Sequence, residues 1–147
     1  MPGILLTTDL SEESRRAFDP VRTLAAKLEL DITLFAVLEN LPLEPVAGAM
    51  MAVYPDRTEL RADWEARLGE LAEELGPRCR GFELVDAADV CNAVVTFAEK
   101  EAFDYIAMAT HGRSGLRRLL LGSVAEVVVR HSHVPVLLYP PATDPAG

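Results

Sequence analysis

Apolar residues arrive in short blocks along this chain, and the spacing inside each block separates strands from helices. Ile4, Leu5 and Leu6 form one continuous run, the mark of a short strand covered on both faces. Residues 32–38, ITLFAVL, make a longer run rich in branched side chains and predict a central strand. Between them Ala17, Val21, Leu24, Ala25 and Leu28 recur at helical spacing, so one helical face is expected to pack on a sheet. Ser11 stands ahead as a cap, and Pro20 should kink this helix or split off its first turn. Leu60, Trp64, Leu68, Leu71 and Leu75 repeat the helical spacing after Asp56, and Gly76-Pro77 ends it. On this pattern Trp64 reads as core. Phe82, Leu84 and Val85 predict a weaker strand at a sheet edge. Asp89 then caps a helix whose buried stripe is Val90, Cys91, Val94, Val95 and Ala98.

The last third of the chain organises the rest. A buried strand over residues 105–108 stops at Ala109-Thr110-His111-Gly112, small and polar residues suited to an exposed strand end. A loop follows as far as Gly122-Ser123, and Val124, Ala125, Val127, Val128 and Val129 form the next apolar block. Glu126 lies three residues beyond Ser123, a capping-box spacing that starts a helix at Ser123. A final strand is bounded by Val134 and Leu138. Strands alternating with helices predict an α/β fold: a three-layer, doubly wound open sheet of five parallel strands with right-handed crossovers and helices on both faces. The pattern does not give the order of the strands.

Residues 39–55 interrupt this alternation with Pro42, Pro45, Gly48 and Pro55 among Met50, Met51 and Val53. Such a loop suits closure over a ligand, a subunit contact or a short helix of its own. Pro140-Pro141 begin a tail, residues 141–147, without a folding signal and expected to be disordered.

At 147 residues, half of them hydrophobic, the chain has material for one core, and a single domain over residues 1–140 is expected. A net charge of −9 and a pI near 4.8 argue against a nucleic-acid-binding surface. No apolar run reaches a membrane span and no leader is apparent, so a cytoplasmic protein is expected. Cys79 and Cys91 lack the close spacing of a zinc or redox motif. Cys91 reads as a small core residue, Cys79 as part of a polar connector. His131 and His133 flank a helix end, where hydrogen bonding to free carbonyls accounts for them.

The candidate chemistry concentrates at strand ends. Gly122-Ser123 opens a helix, and a helix start preceded by glycine offers unpaired amides and partial positive charge to an anion. Gly112 and the amides of Gly122, Ser123 and Val124 are therefore candidate phosphate donors, with the Ser123 hydroxyl, His111 and Arg113 nearby. Residues 111–133 hold four arginines against one glutamate, a local cationic balance inside an acidic protein. On spacing alone the arginines also suit a solvated face, and Ser123 a plain cap. Asp9, at the end of the first strand, either faces a ligand at the carboxyl edge of the sheet or caps the helix beginning near Glu12. Neither GxxxxGK nor GxGxxG occurs, and no serine, histidine and acid set suggests acyl transfer, so no catalytic residue is assigned.

At Ala109, Gly112, Gly122 and Ser123 the chain resembles the universal stress proteins, whose adenine-nucleotide-binding members carry glycine, two residues, glycine, nine residues, glycine and serine or threonine. Here Ala109 replaces the first glycine, Thr7 stands where many members have proline, and Ala88 stands where they commonly have glycine. The resemblance runs from Ile4 to Tyr139 and implies strand order 3-2-1-4-5. It also implies that Thr7, Asp9, Val37, Met108, Ala109, His111, Gly112, Arg113, Gly122, Ser123 and Val124 hold the nucleotide, with Val37 against the adenine ring. ATP is the implied cofactor, with Mg2+ as its companion in one version and AMP or ADP as alternatives. A homodimer joined through the last strand, from Val134 to Leu138, is implied as well. The resulting expectation is a nucleotide-dependent stress-response or signalling module, against the alternatives of a slow Mg2+-dependent ATPase or phosphotransferase and an interaction protein without nucleotide.

Overall fold

The computed structural model describes residues 3–40, 56–110 and 121–140. The strands are β1 (Gly3–Thr7), β2 (Asp31–Glu39), β3 (Cys79–Ala87), β4 (Tyr105–Ala109) and β5 (Val136–Tyr139). The helices are α1 (Phe18–Leu28), α2 (Thr58–Glu74), α3 (Val90–Lys100) and α4 (Ser123–His131), and a 3-10 turn over Ser14–Ala17 precedes α1. All strand pairs are parallel and run in the order β3-β2-β1-β4-β5. The expected doubly wound sheet and its order are therefore both present.

Strand alternation divides the apolar side chains between two layers. Ile4, Leu6, Ile32, Leu34, Ala36, Leu38 and Ala107 face α1 and α2, where Val21, Ala25, Trp64, Leu68 and Leu71 complete the layer. Leu5, Phe35, Val37, Ile106 and Met108 face α3 and α4, meeting Val94, Ala98, Ala125 and Val128. Asp104 ties the two central strands together at their amino ends, accepting from the Gly3 amide at 2.7 Å and donating its own amide to the Gly3 carbonyl at 2.9 Å.

Several local expectations resolve in instructive ways. Pro20 sits in the first turn of α1, where a missing amide costs little, and the chain before it forms the separate 3-10 turn. Leu28 and Leu60 fit their helical stripes yet remain 45% and 44% exposed. Cys79 belongs to no connector: it starts β3 opposite Ile32 and packs against the core. The last strand begins at Val136, two residues later than expected, because the Ser132 hydroxyl holds Val134 in a turn, accepting from its amide at 3.0 Å and donating to its carbonyl at 2.7 Å, so that pairing with β4 starts only at the Pro135 carbonyl. Most of the expected 39–55 loop, residues 41–55, lies outside the described residues, as does the 141–147 tail.

Glu29 ends α1 in the left-handed conformation, with φ 56°, while the Leu30 amide returns to the Ala25 carbonyl at 3.0 Å. This is the position where glycine avoids a Cβ penalty. Glu29→Gly is therefore expected to stabilise the fold by about 0.5–1 kcal/mol, seen as a rise of a few degrees in thermal denaturation. An unchanged or lower midpoint would contradict it.

Candidate functional site

The order β3-β2-β1-β4-β5 reverses the direction of winding between β1 and β4, so a crevice opens beyond the carboxyl ends of those strands. A cleft of about 730 Å³ lies there.

Its floor is the turn after β1. The Thr8 amide continues the sheet by donating to the Phe35 carbonyl at 2.9 Å, and the buried Thr8 hydroxyl lies 2.8 Å from the Ser14 hydroxyl. Asp9 Oδ1 accepts from the Ser11 amide at 3.0 Å and from the Ser11 hydroxyl. Ser11 Oγ in turn accepts from the Ser14 amide at 3.2 Å. Ser11 is therefore not the expected helix cap: Glu13 precedes the 3-10 turn and Ala17 precedes α1, neither with a side-chain cap bond, and Ser11 instead ties the preceding turn to Ser14. Leu10, held between these bonds, is left-handed at φ 66°, a strained conformation for a leucine that the surrounding bonds impose. Asp9 caps no helix, since Glu13 and Ala17 hold the N-cap positions of the 3-10 turn and of α1; it braces the local turn through Ser11 and lines the cleft.

The opposite wall is the start of α4. Gly122, not Ser123, is the N-cap, with extended φ −68° and ψ 163°, and it makes no side-chain cap bond. The capping box is not formed; Glu126 pairs instead with Arg130 at 2.8 Å. The Gly122 amide donates to the Thr110 carbonyl, which closes the β4–α4 connection and removes that amide from the expected phosphate donors. The first intrahelical donor is Glu126, to Gly122. The amides of Ser123, Val124 and Ala125 therefore precede the helical ladder and border the cleft. This displaces the expected donor set one residue along the chain.

Thr7, Val37, Met108 and Ala109 line the space between these walls, Val37 and Met108 being 8% and 5% exposed. His111, Gly112 and Arg113 lie outside the described residues, as do Arg117 and Arg118. Sequence reasoning missed Thr8, Thr110 and one whole wall of the cleft. That wall is α2, which brings Arg57, Leu60, Asp63, Trp64 and Arg67 to the site. Trp64 is core, as expected, and also a cleft residue. The α2 wall is fixed to β3 by Arg61, which reaches Asp86 at 2.7 Å and the Leu84 carbonyl at 2.9 Å. The charges at Arg57, Arg67, Asp9, Asp63 and Glu39 are mixed rather than cationic. Among the described residues, no group of three histidine, cysteine or acidic side chains is gathered for a metal ion, and no helix is long and apolar enough to cross a membrane.

Cys91 lies beside this site, its thiol 3.8 Å from the Val124 carbonyl. Burial first, then the charge of Asp89, pushes its pKa above the ordinary thiol value, and burial does the same for Cys79. Both thiols hold their protons more tightly folded than unfolded. The resulting stability is present below the unfolded thiol pKa and is lost as pH rises through the folded one. Alkylation of either cysteine in the native protein is expected to accelerate at higher pH than that of an unfolded control, read by mass spectrometry. Equal profiles would contradict this.

Comparison with known proteins agrees with this architecture. The pattern of the universal stress protein family matches residues 2–140. A universal stress protein of Methanocaldococcus jannaschii is 31% identical over 137 residues, covering 92% of this chain and 79% of the relative. The solved structure of a second protein from that organism shares the fold at a TM-score of 0.75 and 23% identity, covering 97% of each chain. A universal stress protein of Archaeoglobus fulgidus in complex with dAMP superposes at 0.64 with 16% identity, covering 94% of this chain and 97% of its own. An Arabidopsis thaliana family protein with AMP bound superposes at 0.60 with 17% identity, covering 100% of this chain and 96% of its own.

Proposed function

The chain belongs to the universal stress protein family, and we propose that its cleft binds an adenine nucleotide and reports occupancy to partner proteins. The observation that carries this reading is the meeting of three chemistries in one space: the α4 amides at Ser123–Ala125, the Asp9 carboxylate, and the apolar pair Val37 and Met108. Amides at a helix start suit phosphate oxygens, a carboxylate suits sugar or base donors, and buried apolar side chains suit a purine face. The AMP and dAMP held by similar folds support the same ligand class.

ATP is the proposed physiological occupant, with AMP or ADP as alternative occupants and Mg2+ accompanying the triphosphate. When bound, the ion would neutralise phosphate charge; this chain's part is to hold the nucleotide. Thr7, Ala109, His111, Gly112 and Arg113 complete the proposed binding set. A homodimer is proposed through β5, the terminal strand of the sheet, whose outer edge would pair with a second copy. A cytoplasmic setting and a single functional domain over residues 1–140 belong to the same reading.

The test is thermal denaturation with ATP, AMP and adenosine. A ligand present at about 100 times its Kd adds about 2.7 kcal/mol to the stability of the native state, so a rise of several degrees is expected with ATP or AMP. No shift at millimolar nucleotide would overturn the reading. Absence of sustained phosphate release would separate a binding module from a slow hydrolase.

A further inference from the structure

Among the described residues, five arginines outside the cleft are tightly committed, whereas Arg57 in the cleft reaches only Asn40 Oδ1, at 3.5 Å. Arg15, Arg22, Arg61, Arg80 and Arg130 each hold a carboxylate at 2.7–2.8 Å. Arg67 in the cleft is held differently. Its nearest carboxylate, Asp63, is 4.0 Å away, and its second contact is a long 3.4 Å bond to the Leu10 carbonyl. About half of the Arg67 side chain, 49%, remains exposed. A guanidinium has five N–H donors in a planar fork suited to phosphate, and these two limiting contacts use little of that capacity.

Its position gives that capacity a direction. Leu60, Trp64 and Arg67 recur at four and three residues, which places them along one face of α2, and that face lines the cleft. Arg67 reaches the carbonyl of the residue after Asp9, so it stands at the end of β1. We propose that Arg67 is a specificity residue of the cleft, which leaves Leu10 and Asp63 to meet the anionic group of the ligand from the side facing the α4 amides, so that nucleotides are selected over nucleosides. This rests on the adenine-nucleotide reading and deepens it. Asp63 opposes the selection in two ways. It competes for the guanidinium, and its own charge repels the incoming phosphate.

The experiment is calorimetric titration of the full chain with adenosine, AMP and ATP, compared among wild type, Arg67→Gln, Asp63→Asn and Arg80→Gln. The preference for AMP over adenosine is the readout, because a general loss of folded protein affects both ligands alike. Arg67→Gln is expected to lower that preference roughly tenfold with adenosine binding unchanged, and Asp63→Asn to raise it a few-fold. Arg80→Gln removes the same charge from the far end of the strands, beside Asp31, and is expected to leave the preference within about twofold. Equal weakening of AMP and adenosine in Arg67→Gln would assign the residue to bracing the Leu10 turn and overturn the proposal. An unmoved preference would overturn it as well. Wild-type protein that binds neither ligand would overturn the nucleotide reading itself, and this inference with it.

Discussion

Phe35→Ala is expected to lower the unfolding free energy by about 3–5 kcal/mol, measured by urea denaturation. Phe35 is fully buried at the centre of the sheet, on the face that packs against α3 and α4. Its ring stacks on Phe97 with centroids 4.7 Å apart and planes at 26°, and Phe97 continues to Phe103 at 6.0 Å. Truncation removes apolar burial, an aromatic pair and the support of α3 together. Partial collapse of the cavity sets where in the range the loss falls. Phe35→Leu keeps most of the volume, so a loss below about 1.5 kcal/mol is expected. Phe35 also borders the cleft, so Phe35→Ala should weaken nucleotide binding in protein that remains folded. A loss under about 1 kcal/mol would mean that this layer is not the tightly packed core its burial describes.

Asp9→Ala is expected to weaken AMP and ATP binding roughly ten- to a hundredfold, as removal of a charge-assisted contact does. The change has two components. Asp9 Oδ1 holds the Ser11 amide and hydroxyl, so alanine loosens the turn that shapes the floor, and it also withdraws the carboxylate from the ligand. Asp9→Asn keeps an oxygen for the Ser11 donors and removes the charge. If the carboxylate accepts from sugar or base, asparagine recovers part of the affinity; if only the turn matters, it recovers nearly all. Binding equal to wild type in Asp9→Ala would remove Asp9 from the site.

Where the sequence was legible, one local pattern had one physical outcome. The runs at residues 4–6 and 32–38 could be strands of a covered sheet because their apolar side chains need partners on both faces, and both are buried as read. Asp89 accepts from the Asn92 amide at 3.0 Å, the cap its position announced. Ser123 carried an equally good local signal and lost, since Gly122 is drawn back to the Thr110 carbonyl and takes the N-cap itself. A bond between residues twelve positions apart outweighed a capping box. Helical spacing also marked Leu60 and Trp64 as one stripe, while the structure buries Trp64 and leaves Leu60 on the cleft.

By itself the sequence determined the alternation of strands and helices, the family, and the residues at strand ends where chemistry belongs, because periodicity and capping act over a few residues. Only the tertiary structure decided that α2 forms a wall of the cleft and that Arg67 is loosely held there. It also decided that the free amides begin at Ser123 rather than at Gly122. On an isolated helix Arg57 and Arg67 look like any solvated charges. Whether a charge is committed or available depends on which carboxylates the packing brings within about 3 Å, and the spacing of residues along one element carries no record of that distance.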